Sequence, residues 1–209
     1  MAHPAFFDDV PHLLMYDPLA QFLGASDDGL VDFSYLDAVK LAGHSCPTVA
    51  AAYWMSCLAL RALFGDELPE RGAVRVEFRD AQASKVTGVV ANVVSLLTGA
   101  SGDGGFKGLG NGRFARRDLL AFAVDIPLDL RFRRVSNGAC VDLAAHLQHV
   151  AAPPEMHDLL QRCVRGEASA AEQARFGALW QERVRRILIE RRDDPAVFEL
   201  RRAALPSVD

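Results

Sequence analysis

The sequence predicts an α+β fold, with helices packed on one face of a mixed, mostly antiparallel sheet of four strands. Three observations predict it. Stretches of strict alternation, GAVRVEFRD (72–80) and LDLRFRRV (128–135), stand apart from stretches whose apolar residues recur at three and four, such as 47–64. The order is helix, strand, helix, then three strands, and Asn137-Gly138 between the last two is a strong hairpin signal. Hydrophobic residues fill 50% of 209 positions, enough for a sizeable core and too many for a disordered chain.

Residues 1–30 mix Pro, Asp and Gly with short apolar runs, PHLLMY and LAQFL, and read as a lead-in with one short helix. SYLDAVKLAG (34–43) is a helix, with Ser34 and Asp37 spaced as a capping box and Gly43 suited to the left-handed terminal position. The next helix starts at Pro47 and carries Val49, Ala50, Tyr53, Trp54, Cys57, Leu58 and Phe64 at helical spacing; Gly65 ends it. In 72–80, Val74, Val76 and Phe78 point one way and Arg75, Glu77 and Arg79 the other, a strand with one wet face.

VTGVVANVVSLLTG (86–99) is valine-rich, which favours strand, but its apolar residues fall on one helical face and on both faces of a strand, so it reads as helix. DLLAFAVDI (118–126) reads as a strand ending at the Pro127 corner. In 128–135, Leu128, Leu130 and Phe132 share one face, and ACVDLAA (139–145) returns beside it. From about 153 the chain changes character. Pro153-Pro154 opens it, and Ser169 with Glu172 forms a capping box for a helix through about Glu190. That helix carries the stripe Phe176, Leu179, Trp180, Val184, Ile187 and Leu188. Two parts are therefore expected: a core with its N-terminal extension, 1–152, and a helical C-terminal extension, 153–209, that docks on the core or on a second copy of the chain.

Composition narrows the partners. A net charge of −4 argues against nucleic acid, and 20 of the 23 basic residues are Arg. Cys46, Cys57, Cys140 and Cys163 show no CxxC, so neither a disulfide scaffold nor a zinc ribbon is supported. The start, MAHPAFFDDVPHLL, lacks the basic and apolar regions of a signal peptide, and no window reaches the roughly 20 apolar residues of a membrane helix. The expectation is a cytoplasmic protein with no membrane partner.

Two stretches carry chemistry. In GHSCP (43–47), Pro47 suits the first helical position, which makes Cys46 the N-cap, with its sulfur near free N–H groups and the positive end of the helix dipole. Helix N-termini favour the thiolate, which is both nucleophile and metal ligand. His44, two residues earlier, can turn toward the same point. The pair reads as half of a zinc, iron or nickel site, as catalytic Cys and His, or as a buried small hydrophobe beside a turn histidine. A metal needs about four donors; Cys140, His12, Asp80, His146 and His149 are the further candidates, while Cys57 and Cys163 read as packing.

TGASGDGGFKGLGNGRFARRD (98–118) holds seven glycines, with Lys107, Arg113, Arg116 and Arg117 around them. It reads as a loop that holds a small anion, with Thr98, Gly99, Lys107 and Gly108 as candidates, or as a crossover loop. It follows a helix and lacks GxGxxG at a strand–helix turn, which excludes a dinucleotide fingerprint.

GHSCP followed by an Ala-rich helix resembles the GHxCP signature of the FmdE family, which takes its name from a component of formylmethanofuran dehydrogenase. VEFRD and the TG-to-GNG segment resemble that family's strand, helix and TGxTxGKGN loop in the same order, over about 34–135. The resemblance implies a FwdE-like core, a homodimer, a cavity near His44 and Cys46, and a divalent transition metal, zinc first. The departures are Ala100 where the family loop often has Cys, the lack of a further Cys before the second helix, and a tail without a zinc finger. The expected function is a small metal-dependent enzyme or oxidoreductase accessory subunit. The alternatives are a non-catalytic metal-, cofactor- or partner-binding module and a purely structural dimer.

Overall fold

The computed structural model of the chain describes residues 2–203. After a 3-10 turn at Ala5–Asp9, β1 (Leu13–Tyr16), the short α1 (Pro18–Phe22) and β2 (Leu30–Phe33) form a unit in which the two strands pair as a small antiparallel sheet. Then come α2 (Tyr35–Ala42), α3 (Pro47–Phe64), β3 (Val74–Phe78), α4 (Thr87–Thr98), β4 (Leu120–Ala121), β5 (Leu130–Arg134) and β6 (Cys140–Ala145). The C-terminal part holds α5 (Glu155–Val164), α6 (Ala170–Arg185), a π-helical turn at Arg186–Glu190, and β7 (Phe198–Ala203).

The main sheet runs β4-β3-β5-β6-β7, with β3 and β4 parallel and every other neighbour antiparallel. Register places Val76 opposite Phe132 and Phe132 opposite Val141, so the apolar face of each strand lands on one side. That side is packed by α3, which lies across β5 and β6 and also touches α2, α4 and α6. The other side carries ion pairs between Arg75 and Glu77 and between Arg131 and Asp142. The α+β class and the alternation that predicted it are both present.

α3 is long and apolar enough to cross a membrane by length and composition, but 72% of it is buried inside the fold. Its alanines explain why: Ala50, Ala52 and Ala59 have no exposed surface, which lets neighbouring elements approach the helix closely.

Four features differ from the sequence reading. The lead-in adds two strands to its short helix. Leu13 and Met15 are buried while Leu14 is exposed, an alternation hidden because all three residues are apolar. The stretch 118–126 keeps only two strand residues, because Asp118 and Ala123 take left-handed φ of 61° and 57°. The sheet has five strands, the fifth coming from the tail, whose short run FELRRA sits close behind Pro195. The tail is thus not only helical: Val184, Ile187, Leu188 and Val197 have no exposed surface and belong to the same core cluster as α3. Trp54 of α3 donates to the Arg192 carbonyl at 2.7 Å, which fastens that segment to the central helix.

Candidate functional site

The loop between α2 and α3 forms as its residues dictate. Ser34 and Asp37 make the expected capping box, and Gly43 closes α2 at φ 75°. Cys46 is the N-cap of α3, and its sulfur accepts the Val49 N–H at 3.5 Å. The two side chains singled out in GHSCP meet different surroundings. Cys46 is buried, 8% exposed, whereas His44 is exposed, with Nδ1 2.9 Å from the Ala42 carbonyl and Nε2 without a partner among the described residues. As the donor in that bond Nδ1 carries the proton, which leaves a lone pair on Nε2.

Ser45, between them, is held by α6. Its hydroxyl donates to Gln181 Oε1 at 2.9 Å, and its carbonyl accepts from Trp180 Nε1 at 3.0 Å and from Gln181 Nε2 at 3.2 Å. Burial pushes the Tyr35 phenol well up, so it stays protonated and donates to the Ser45 hydroxyl at 2.9 Å.

Among the described residues no three of His, Cys, Asp and Glu gather as a metal group. The further ligand candidates are dispersed. His12 pairs with Asp32 at 2.7 Å in the small sheet, and His146 with Glu199 at 2.9 Å beside the exposed His149. Cys140 is buried on β6, and Cys163 is half-buried on α5. Burial pushes the Cys57 thiol up to about 12, in keeping with a core role.

The glycine-rich loop uses much of its chemistry internally. The buried Thr98 hydroxyl donates to the Val94 carbonyl at 2.7 Å and accepts the Ala100 N–H at 3.1 Å, while Gly99 caps α4 at φ 74°. Arg116 turns inward to Asp17 at 2.7 Å, and Arg71 reaches the same carboxylate at 2.6 Å. A Cβ on Gly72 or Gly99 would meet Arg116 Nη1 at 2.7 or 2.6 Å, so these two glycines make room for the guanidinium. Burial alone raises the Asp17 pKa; the Ala20 N–H, Arg116 and Arg71 outweigh it and hold the carboxyl below its ordinary value. Arg113 stacks on Phe22 and Phe114, and Arg117 pairs with Asp118. Gly108, at φ 87°, sits at the tight Leu109–Arg113 turn. Of the anion candidates Thr98, Gly99, Lys107 and Gly108, only Lys107 holds a charge out to solvent.

A cavity lies elsewhere on α3. A cleft of about 190 Å³ opens where the first turns of α3 and α4 meet the ends of β3 and β6 and the start of β5. Ala51, Met55, Phe78, Val90 and Leu130 form its apolar floor, and Thr48, Asp80, Lys85, Thr87 and Asp129 its polar rim. His44 and Cys46 are not among its lining residues, although Thr48 belongs to the turn that Cys46 caps.

Lys85 sits in the left-handed region at φ 50° and donates to Asp80 Oδ2 at 2.9 Å, which holds that carboxyl below the usual range. Asp129 accepts from Arg79. Thr87 opens α4 more than nine-tenths buried, at 8% exposure, and its hydroxyl finds no hydrogen-bond partner among the described residues. Val86 at the N-cap offers no side-chain acceptor to that helix. The sequence signal for this rim was faint: a helix start, ASKVTG, with no capping side chain at the residue before Thr87.

No family model matches the chain, and no curated protein matches it.

Proposed function

We propose that the chain is an FmdE-like small-molecule-binding protein whose ligand occupies the cleft between α3, α4 and the sheet. One observation carries this reading: an apolar-floored cavity of about 190 Å³ whose rim includes Thr87, whose hydroxyl has no partner among the described residues. The hydroxyl makes no hydrogen bond to another described residue and stays accessible at the cleft, so a ligand's acceptor can take it in place of water. The order of capped Cys, Ala-rich helix, alternating strand, valine helix and glycine loop supports the FmdE-like part. A homodimer belongs to the same proposal through that resemblance.

Volume narrows the ligand. A cavity of about 150 Å³ holds benzene, whereas drug-sized molecules take about 300–1,000 Å³. The cleft encloses a body of about ten non-hydrogen atoms or fewer. Ligand-observed NMR with benzene-sized fragments tests the reading. Saturation transfer to the native chain that vanishes in Ala51→Phe, which fills the cleft, supports it. Equal transfer to both, or to neither, counts against it.

A second reading keeps His44 and Cys46 as a metal-binding or thiol site, as part of an enzyme or an accessory subunit. It is favoured by the His44 ring, whose Nδ1 is tied to a backbone carbonyl as in many metal-ligating histidines, leaving Nε2 available. The donor set does not fit a closed zinc site, because one chain brings two donors where about four are needed. Zinc here requires donors from a second copy or from a ligand. Zinc titration followed by His44 imidazole shifts checks it; unchanged His44 resonances at saturating zinc remove this reading.

A further inference from the structure

We infer that the ligand of the cleft is a small monocarboxylate with an apolar body, its carboxylate held between the Lys85 ammonium and the Thr87 hydroxyl. This rests on the cleft being a ligand site and adds the charge and shape of what enters it.

Three side chains at the rim can donate, and one backbone N–H adjoins them. The Lys85 ammonium has three N–H bonds, of which Asp80 takes one. The Thr87 hydroxyl has no acceptor among the described residues, and the residue lines the cavity more than nine-tenths buried. Thr48, on the first turn of α3, adds a hydroxyl that makes no hydrogen bond to another described residue. The first turn of α4 has no side-chain cap, so the N–H of Gly88, next to Thr87, finds no acceptor in Val86. A capless helix start alone would be weak; beside it the Thr87 hydroxyl, without a partner among the described residues, and the Lys85 ammonium make a receptor for an acceptor-rich group.

The acidic groups set the charge. Asp80 and Asp129 also face the cleft, but each already has a basic partner, Lys85 and Arg79. Two acids and two bases leave the rim near neutral before the helix ends are counted. A dianion such as a phosphate monoester would sit beside two carboxylates whose cations are already paired, whereas a monoanion shares the Lys85 ammonium with Asp80 and meets less repulsion. A cationic head would compete with Lys85 and leave the donors of Thr87 and α4 unused. The floor of Met55, Phe78 and Leu130 takes the apolar body.

Calorimetry with benzoate, its neutral isostere benzamide and the cation benzylammonium tests this on the native chain, Lys85→Met, Thr87→Val and Ala51→Phe. Lys85 is largely exposed, 71% by side chain, so its replacement leaves the core intact. The expected result is benzoate bound about tenfold or more tighter than benzamide, and benzylammonium weakest. Lys85→Met should remove that preference while benzamide is unchanged, Thr87→Val should weaken benzoate severalfold, and Ala51→Phe should abolish both. Equal binding of benzoate and benzamide, or tighter binding of benzylammonium, overturns the carboxylate assignment and leaves the cleft as a site. Failure of all three probes to bind, with Ala51→Phe indistinguishable from native, overturns the assignment together with the cleft.

Discussion

Trp180 Nε1 lies 3.0 Å from the carbonyl of Ser45, joining α6 to the loop that carries His44 and Cys46 across 135 positions of sequence. Gln181 adds two more bonds to the same serine. The C-terminal part of the chain therefore fixes the conformation of the most chemically suggestive loop. Trp180→Phe keeps the ring packing and removes the N–H. We expect a loss of about 1–2 kcal/mol in denaturant unfolding and faster iodoacetamide labelling of Cys46 in the folded protein, because the loop that buries it is less restrained. Unchanged labelling would show that Ser45 is held by its other partners alone.

The buried Asp17 carboxylate, clamped by Arg71 and Arg116, predicts the acid limb of stability. Its pKa lies below the ordinary 3.8 in the folded chain, so folding favours the ionised form. That contribution is complete above the unfolded value and is lost as pH falls through the folded one. Asp17→Asn should be less stable at pH 7 and should lose the part of the acid transition below about pH 4. Asp17→Ala should cost about 3–5 kcal/mol, since it strands two guanidinium groups, one of them buried. Urea midpoints at pH 3 and pH 7 give both numbers.

Deleting residues 153–209 tests how far the tail belongs to the core. The deletion removes Val184, Ile187, Leu188 and Val197, all without exposed surface, and strips β6 of its β7 partner. Large buried aliphatic side chains contribute about 2–5 kcal/mol each, and whole domains are stable by about 5–15 kcal/mol. The truncated chain should be unfolded or aggregated by circular dichroism and light scattering. A folded, monodisperse fragment would mean that the tail is an appendage.

What the sequence made legible follows from where its signals are local. Capping residues, helix ends and the Asn137-Gly138 turn act over four or five positions, and α2, α3, α4 and the start of α6 appear where Ser34, Pro47, the spaced valines and Ser169 placed them. β1 was hidden because Leu14 is as apolar as its buried neighbours, and β7 because its pairing with β6 is decided some 60 residues away. The cleft was less legible still. Thr48, Lys85, Thr87 and Asp129 come from separate elements, and no spacing in the chain announces that they share a rim. Cys46 was found as a helix cap because capping is local; its burial under a loop held by α6 is tertiary.

The four cysteines should react in an order set by burial. Cys163 is half-buried, Cys46 is 8% exposed, and Cys57 and Cys140 are 5% and 6% exposed. Burial pushes the Cys57 thiol up to about 12, so almost none of it is thiolate at pH 8. Mass spectrometry after timed alkylation at pH 8 should show Cys163 first, then Cys46, with Cys57 modified only on unfolding. Early labelling of Cys57 would contradict its place in the core.

Lys85 gives the sharpest test of the cleft's construction. Its φ of 50° lies in the left-handed region, where a Cβ crowds the following carbonyl at a cost of about 1–2 kcal/mol. At an ordinary position Ala is more stable than Gly, because Gly loses more chain entropy on folding. At position 85 the order should invert. Lys85→Ala and Lys85→Gly both delete the ammonium and its contact with Asp80, so their difference isolates the backbone. We expect Lys85→Gly to be more stable than Lys85→Ala by about 1 kcal/mol in urea unfolding, with benzoate binding weakened to the same degree in both. If Ala is the more stable, the left-handed conformation is absent in solution, and Lys85 is not held over the cleft by its backbone.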